Sequence, residues 1–232
     1  MIPYRTLPWL AASSGALTIL AFSGVLPEWL GFVFKPLTTL LVIVYAWPRG
    51  TNPQRNLIRA GLVLSLAGDV FLLWPKEGFL PGLVAFLLAH LAYIAAFCVP
   101  LRLAARPLGF VVYAVVAAVV MSWLWPAIPG ALRGPVVAYV VCLATMAAQA
   151  FGWWRSSVAS NAADARLARW AALGGLLFMG SDSLLAINKF AVALPASSLW
   201  ILLTYWVAQG CIASALRHPR GASATVNSRN GH

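Results

Sequence analysis

The stretch LIRAGLVLSLAGDVFLLWP, residues 57–75, is almost wholly apolar, yet it holds an aspartate, Asp69, well inside it. A run of about 20 such residues spans the hydrocarbon core of a bilayer as a helix. Seven further runs of comparable length recur along the chain, at about 8–26, 30–47, 79–99, 107–125, 134–154, 168–188 and 197–216. Pro27, WPRGTNP (47–53), PKEG (75–78), Pro100, WPAIPG (125–130) and Pro195 punctuate them. The chain is 62% hydrophobic and only 9% charged, where soluble domains carry about a quarter charged residues. These features predict an all-α polytopic membrane protein, a bundle of eight transmembrane helices over residues 1–216. Backbone polar groups in lipid must pair within the segment, so runs of this length span as helices.

A net charge of +11 raises the question of nucleic acid, but the placement of the charges answers it. With the N-terminus inside, twelve arginines fall in inside segments (Arg5, Arg49, Arg55, Arg59, Arg102, Arg106, Arg155, Arg166, Arg169, Arg217, Arg220 and Arg229), against Lys76 and Arg133 outside. This is a positive-inside bias with both termini cytoplasmic, and it points to anionic lipid as the partner of the charge, not nucleic acid. The expected location is the inner (plasma) membrane of a bacterial cell, crossed many times. Arg5 ahead of an apolar run, with small residues at AFSG (21–24), also fits a signal peptide. The length of the run favours a retained helix. Residues 217–232, RHPRGASATVNSRNGH, lack apolar periodicity and are expected to form a short disordered basic tail. Cys98, Cys142 and Cys211 sit singly on separate helices and read as small core residues. No residue pattern predicts a metal or another cofactor, and none sets an oligomeric state.

Of the five acids, Glu28, Glu77 and Asp164 lie in predicted loops, leaving Asp69 and Asp182 inside spans. An aspartate at a helix centre costs about 2.5–3.5 kcal/mol on insertion scales, so each is a candidate functional residue. Helices 3 and 7 run in the same direction, which puts both acids in the outer half of the bilayer. Their surroundings match, AGDVFLL (67–73) against GSDSLLA (180–186), at a separation of 113 residues. That correspondence suggests a parallel repeat of helices 1–4 and 5–8.

Helical spacing places other polar groups. Phe79, Gly82, Phe86, His90, Tyr93 and Phe97 form one stripe on helix 4, and Tyr205 and Gln209 lie one turn apart on helix 8. Lys35 precedes Thr38 and Thr39 by a turn, Asn188 and Lys189 follow Asp182, and Ser65 lies a turn before Asp69. Each has a plainer use. The lysines can snorkel to the interface, and His90, Tyr93, Tyr205, Gln209 and Ser65 can serve as hydrogen-bonded packing groups. The aspartates themselves could be half of an Asp–Lys pair that fixes packing.

No G-x-S-x-G elbow, H-E-x-x-H motif or phosphate-cradling glycine loop occurs. What remains is a pair of carboxyls at one depth, with lysine, tyrosine and histidine nearby. Two carboxyls in different surroundings can divide the roles of acid and base, as in hydrolysis through an oxocarbenium-like state. An amphiphilic substrate entering sideways from lipid would suit such a site. A proton-coupled transporter or channel would use the same aspartates as a relay, and a structural or lipid-binding bundle would need neither.

The chain resembles the YhhN family of eight-helix membrane proteins. The resemblance rests on FKPLTTL (34–40), AGDVFLL (67–73), GLVAFLLAHLAYIAAF (82–97), GGLLFMGSDSLLAINKF (174–190) and TYWVAQGCI (204–212). It implies a lysoplasmalogenase, an ether hydrolase that cleaves the vinyl ether of lysoplasmenyl choline or ethanolamine phospholipids to a fatty aldehyde and a glycerophospho-base. Under that implication Asp69 and Asp182 are the catalytic pair, with either one as the acid. Lys35 and Lys189 would sit near the phosphate or tune an aspartate. His90, Tyr93, Asn188, Tyr205 and Gln209 would support the site.

Overall fold

The computed structural model of the protein describes residues 6–47, 52–74, 76–159 and 162–216. The expected tail at 217–232 therefore lies outside the described residues. Among the described residues the chain forms eight α-helices and no strand. They are α1 (Leu7–Phe22), α2 (Trp29–Ala46), α3 (Pro53–Phe71), α4 (Phe79–Cys98), α5 (Pro107–Leu124), α6 (Gly130–Val158), α7 (Ala162–Ala186) and α8 (Ser197–Ser214). A 3₁₀ turn, Trp125–Ala127, follows α5, and a π-helical turn, Ile187–Ala191, extends α7.

Helix ends follow local chemistry. The Asn52 side chain accepts the Arg55 backbone N–H at 2.8 Å and Pro53 opens α3, so the helix begins four residues before its apolar run. Pro107 opens α5 in the same way. Pro36 and Pro135 sit inside α2 and α6.

Length and apolarity alone select α2, α4, α5, α6 and α7, each with its extensions, as able to cross a membrane. α1 has only 16 residues, α3 opens on the polar stretch PQRN (53–56) and carries Arg59, and α8 is diluted by Tyr205 and Gln209. Ser65 and Asp69 of α3, and Tyr205 and Gln209 of α8, are all buried. α2, with Lys35, Thr38 and Thr39, and α4, with His90, add further buried polar groups.

α1 packs on α2, α3 on α4, α6 on both α7 and α4, and α8 on α7, α2 and α1. α5 packs on α6, at the edge, and turns Leu108, Val111, Val115 and Val119 outward. Glycines set the close approaches. A Cβ at Gly61 would lie 2.3 Å from the Tyr93 ring, and one at Gly68 2.5 Å from Phe86, so α3 can sit tightly on α4 only with glycine there. The interior is aromatic, with Phe178 edge-on to Phe86, His90 and Tyr205.

Candidate active site

Asp69 lies near the C-terminal end of α3, 2% exposed. Its Oδ2 accepts two hydroxyl hydrogen bonds, from Thr39 of α2 at 2.6 Å and from Tyr205 of α8 at 2.7 Å. Both donors are themselves oriented. Trp206 donates its indole N–H to Thr39 Oγ1 at 3.2 Å, and Gln209 donates its amide N–H to Tyr205 at 3.2 Å. Gln209 in turn accepts from Tyr93 at 2.9 Å, with Ser65 3.4 Å beyond. Lys35 Nζ stands 3.9 Å from Asp69 Oδ1, its side chain 8% exposed. The polar partners of Asp69 are thus two hydroxyl donors and one lysine.

Asp182 sits in the last turns of α7 with its side chain 14% exposed. Tyr139 of α6 donates its hydroxyl to Asp182 Oδ2. His90 of α4 places Nε2 3.0 Å from the Tyr139 oxygen and 3.8 Å from Asp182 Oδ2. Because the single Tyr139 proton points to Asp182, the His90 nitrogen donates to Tyr139. His90 Nδ1, on the other side of the ring, is buried without a hydrogen-bond partner.

The two carboxyls line one cavity of about 350 Å³, together with Lys35, Asn188, Lys189 and Tyr205. Glu28, Ser197 and Ser198 line its mouth, at the bundle end where α1, α3 and α7 finish. The π-helical turn closes with Val192 N–H donating to Ile187 O at 3.0 Å and re-aims the residues after Asp182. Asn188 Oδ1 accepts the Leu194 N–H at 2.9 Å, which shapes the rim, and Lys189 Nζ stands 4.8 Å from the centre of the Phe79 ring.

Six of the nine residues singled out from sequence therefore share the cavity: Lys35, Asp69, Asp182, Asn188, Lys189 and Tyr205. The other three, His90, Tyr93 and Gln209, are fully buried behind it and act through hydrogen bonds. Two partners escape the sequence reading. Thr39 is visible only as a neighbour of Lys35, and Tyr139 stands alone among apolar residues of α6 with no polar group at helical spacing. Asp69 is held from α2 and α8, and Asp182 from α6 and α4. The cysteines are free, with Cys142 and Cys211 buried and Cys98 half-buried.

Over residues 30–216 the chain matches the YhhN family. It is 32% identical over 200 residues to the Bos taurus protein named lysoplasmalogenase TMEM86A, covering 81% of this chain and 78% of that one. The Homo sapiens lysoplasmalogenase TMEM86B is 35% identical over 197 residues, 83% of this chain and 78% of its own. A Mycobacterium tuberculosis lysoplasmalogenase is 34% identical over 185 residues, 76% and 66% respectively. No solved structure matches.

Proposed function

This chain belongs to the YhhN family, and from that premise we propose that it is a lysoplasmalogenase in which Asp182 is the proton donor and Asp69 the carboxylate. The observation that carries the reading is the cavity itself, which holds two carboxyls beside two lysines, Asp69 buried under two hydroxyl donors and Asp182 more exposed under one. Relatives of that name, similar over most of the chain, supply the reaction class.

Hydrolysis of a vinyl ether starts with protonation of its β-carbon. Asp182 gives that proton from the oxygen that Tyr139 does not occupy, and the electrons of the double bond form the new C–H bond. The cation left on the neighbouring carbon is shared with the ether oxygen as an oxocarbenium ion, which the ionised Asp69 stabilises. Water adds to that carbon as Asp69 takes one of its protons, giving a hemiacetal. In its collapse Asp69 returns the proton to the departing glycerol oxygen. Asp182 takes the hydroxyl proton, and the aldehyde is released. One water is consumed and both aspartates regain their starting states.

The neighbours fit these duties. Lys35, Thr39 and Tyr205 fix Asp69 in place. Tyr139, backed by His90, orients Asp182. Lys189, near the mouth, meets the phosphate of the glycerophospho-base.

The test is to incubate purified protein with lysoplasmenylcholine and lysoplasmenylethanolamine in D₂O. The expected product is a fatty aldehyde with one deuterium on the carbon next to the carbonyl. Aldehyde without deuterium there would rule out protonation of the vinyl carbon, and no aldehyde from either lipid would refute the reading.

A further inference from the structure

Asp182 belongs to two cavities at once. On one side it faces the polar cavity described above, and on the other an apolar slot of about 70 Å³ enclosed by α4, α5, α6 and α7. Leu72, Phe79, Phe86 and Leu185 line both, so the two meet around Asp182. The polar side chains of the slot are Asp182, Tyr139 and Ser183, and the rest is aliphatic or aromatic. The slot is continued in turn. Ala117, Met121 and Val140 line it and also line a groove of about 560 Å³ between α5 and α6. That groove borders the outward face of α5, where Val115 and Val119 are exposed. The three cavities thus adjoin in a row that leads from the lysines, past the two aspartates and along apolar walls, to the outward face of α5.

We propose that the slot and the α5–α6 groove are the track of the substrate's hydrocarbon chain, and that the throat at Ala117, Met121 and Val140 is the lateral passage to the bilayer. The inference rests on the proposed function. The polarity gradient commits the occupant: an anionic head belongs at Lys189, near the mouth, and a single unbranched chain belongs in a narrow apolar slot. A lipid lying this way brings its first chain carbons to the slot entrance. There the β-carbon of a vinyl ether faces Asp182 and the ether oxygen faces the side of Asp69. A second chain on the glycerol would have to occupy the polar cavity, so the track selects single-chain lipids.

Ala117→Trp and Val140→Trp fill the throat. Their effect is read as the ratio of kcat/KM for a hexadecenyl lysoplasmenylcholine to that for a butenyl analogue, whose chain ends before the throat. The ratio falls at least about tenfold. Val119→Trp, on the outward face of α5 and lining no part of the track, leaves it unchanged. Equal loss on both substrates in the throat variants, or no loss on either, overturns the proposal. A second measurement needs neither variant nor turnover. A saturated lysophosphatidylcholine with a photoreactive diazirine at its chain terminus is crosslinked to the wild-type protein and the adducts are mapped. Adducts on α5 and α6 around Met121 and Val140 support the track even if no vinyl ether is cleaved. Adducts on α1 and α8 instead would overturn it.

Discussion

At the scale of single residues, function turns on how each carboxyl is held. Asp69 is gripped by two hydroxyls whose own donors are fixed one layer further back, at Trp206 and Gln209. Asp182 is gripped by one phenol backed by an imidazole. Tyr139 touches the acid but not the reacting atoms, so it is a positioning residue. Tyr139→Phe keeps the ring and removes only the hydroxyl. It should lower kcat by roughly 10–100-fold, the cost of a misplaced reacting group, while leaving KM nearly unchanged. Steady-state kinetics on a lysoplasmenyl lipid checks this, and an effect confined to KM would contradict it. Both aspartates were legible in the sequence because an acid in an apolar run is rare and costly. Tyr139 was not, since a lone tyrosine in such a run costs little and most serve as packing. Depth along a helix can be read from numbering, but the partner reaching in from another helix cannot.

At the scale of elements, apolar runs and proline punctuation placed all eight helices, and most boundaries moved by only a few residues. The larger shifts have local causes: the Asn52 cap starts α3 early, and α6 and α7 extend past the hydrocarbon-length core toward the short connection that joins them. The π-helical turn was invisible, because its 5-residue register depends on how Asn188 and the backbone around Val192 close the α7–α8 connection. Close helix contact makes a sharper prediction. Gly61→Ala drives a methyl into the Tyr93 ring and Gly68→Ala one into Phe86. Each should destabilise the protein by about 1–3 kcal/mol, the usual cost of overpacking. A methyl added at Gly180 of α7 would meet no neighbouring group within 4 Å, so Gly180→Ala should be neutral or stabilising by up to about 1 kcal/mol. Thermal unfolding in detergent separates the two classes.

At the scale of the whole molecule, the packing of α1 on α2 and α3 on α4 has its counterpart in α5 on α6 and α7 on α8, while α8 meets α2 as α4 meets α6. We keep the four-plus-four repeat as a proposal on that correspondence, which also relates the two aspartates and their clamps. The end at which the polar cavity opens is the one carrying Glu28, Ser197 and Ser198. The arginine bias proposes that this end faces outward. A cysteine replacing Lys76 should then react with a membrane-impermeant maleimide in intact cells, and one replacing Arg102 only after lysis; the reverse pattern would invert the topology. The central claim is that two aspartates on different helices share one reaction. Its most direct measurement is fatty aldehyde release by purified Asp69→Asn and Asp182→Asn proteins, each checked for an unchanged unfolding temperature. Both should lose at least about 100-fold relative to wild type; full aldehyde release by either folded variant would contradict the account.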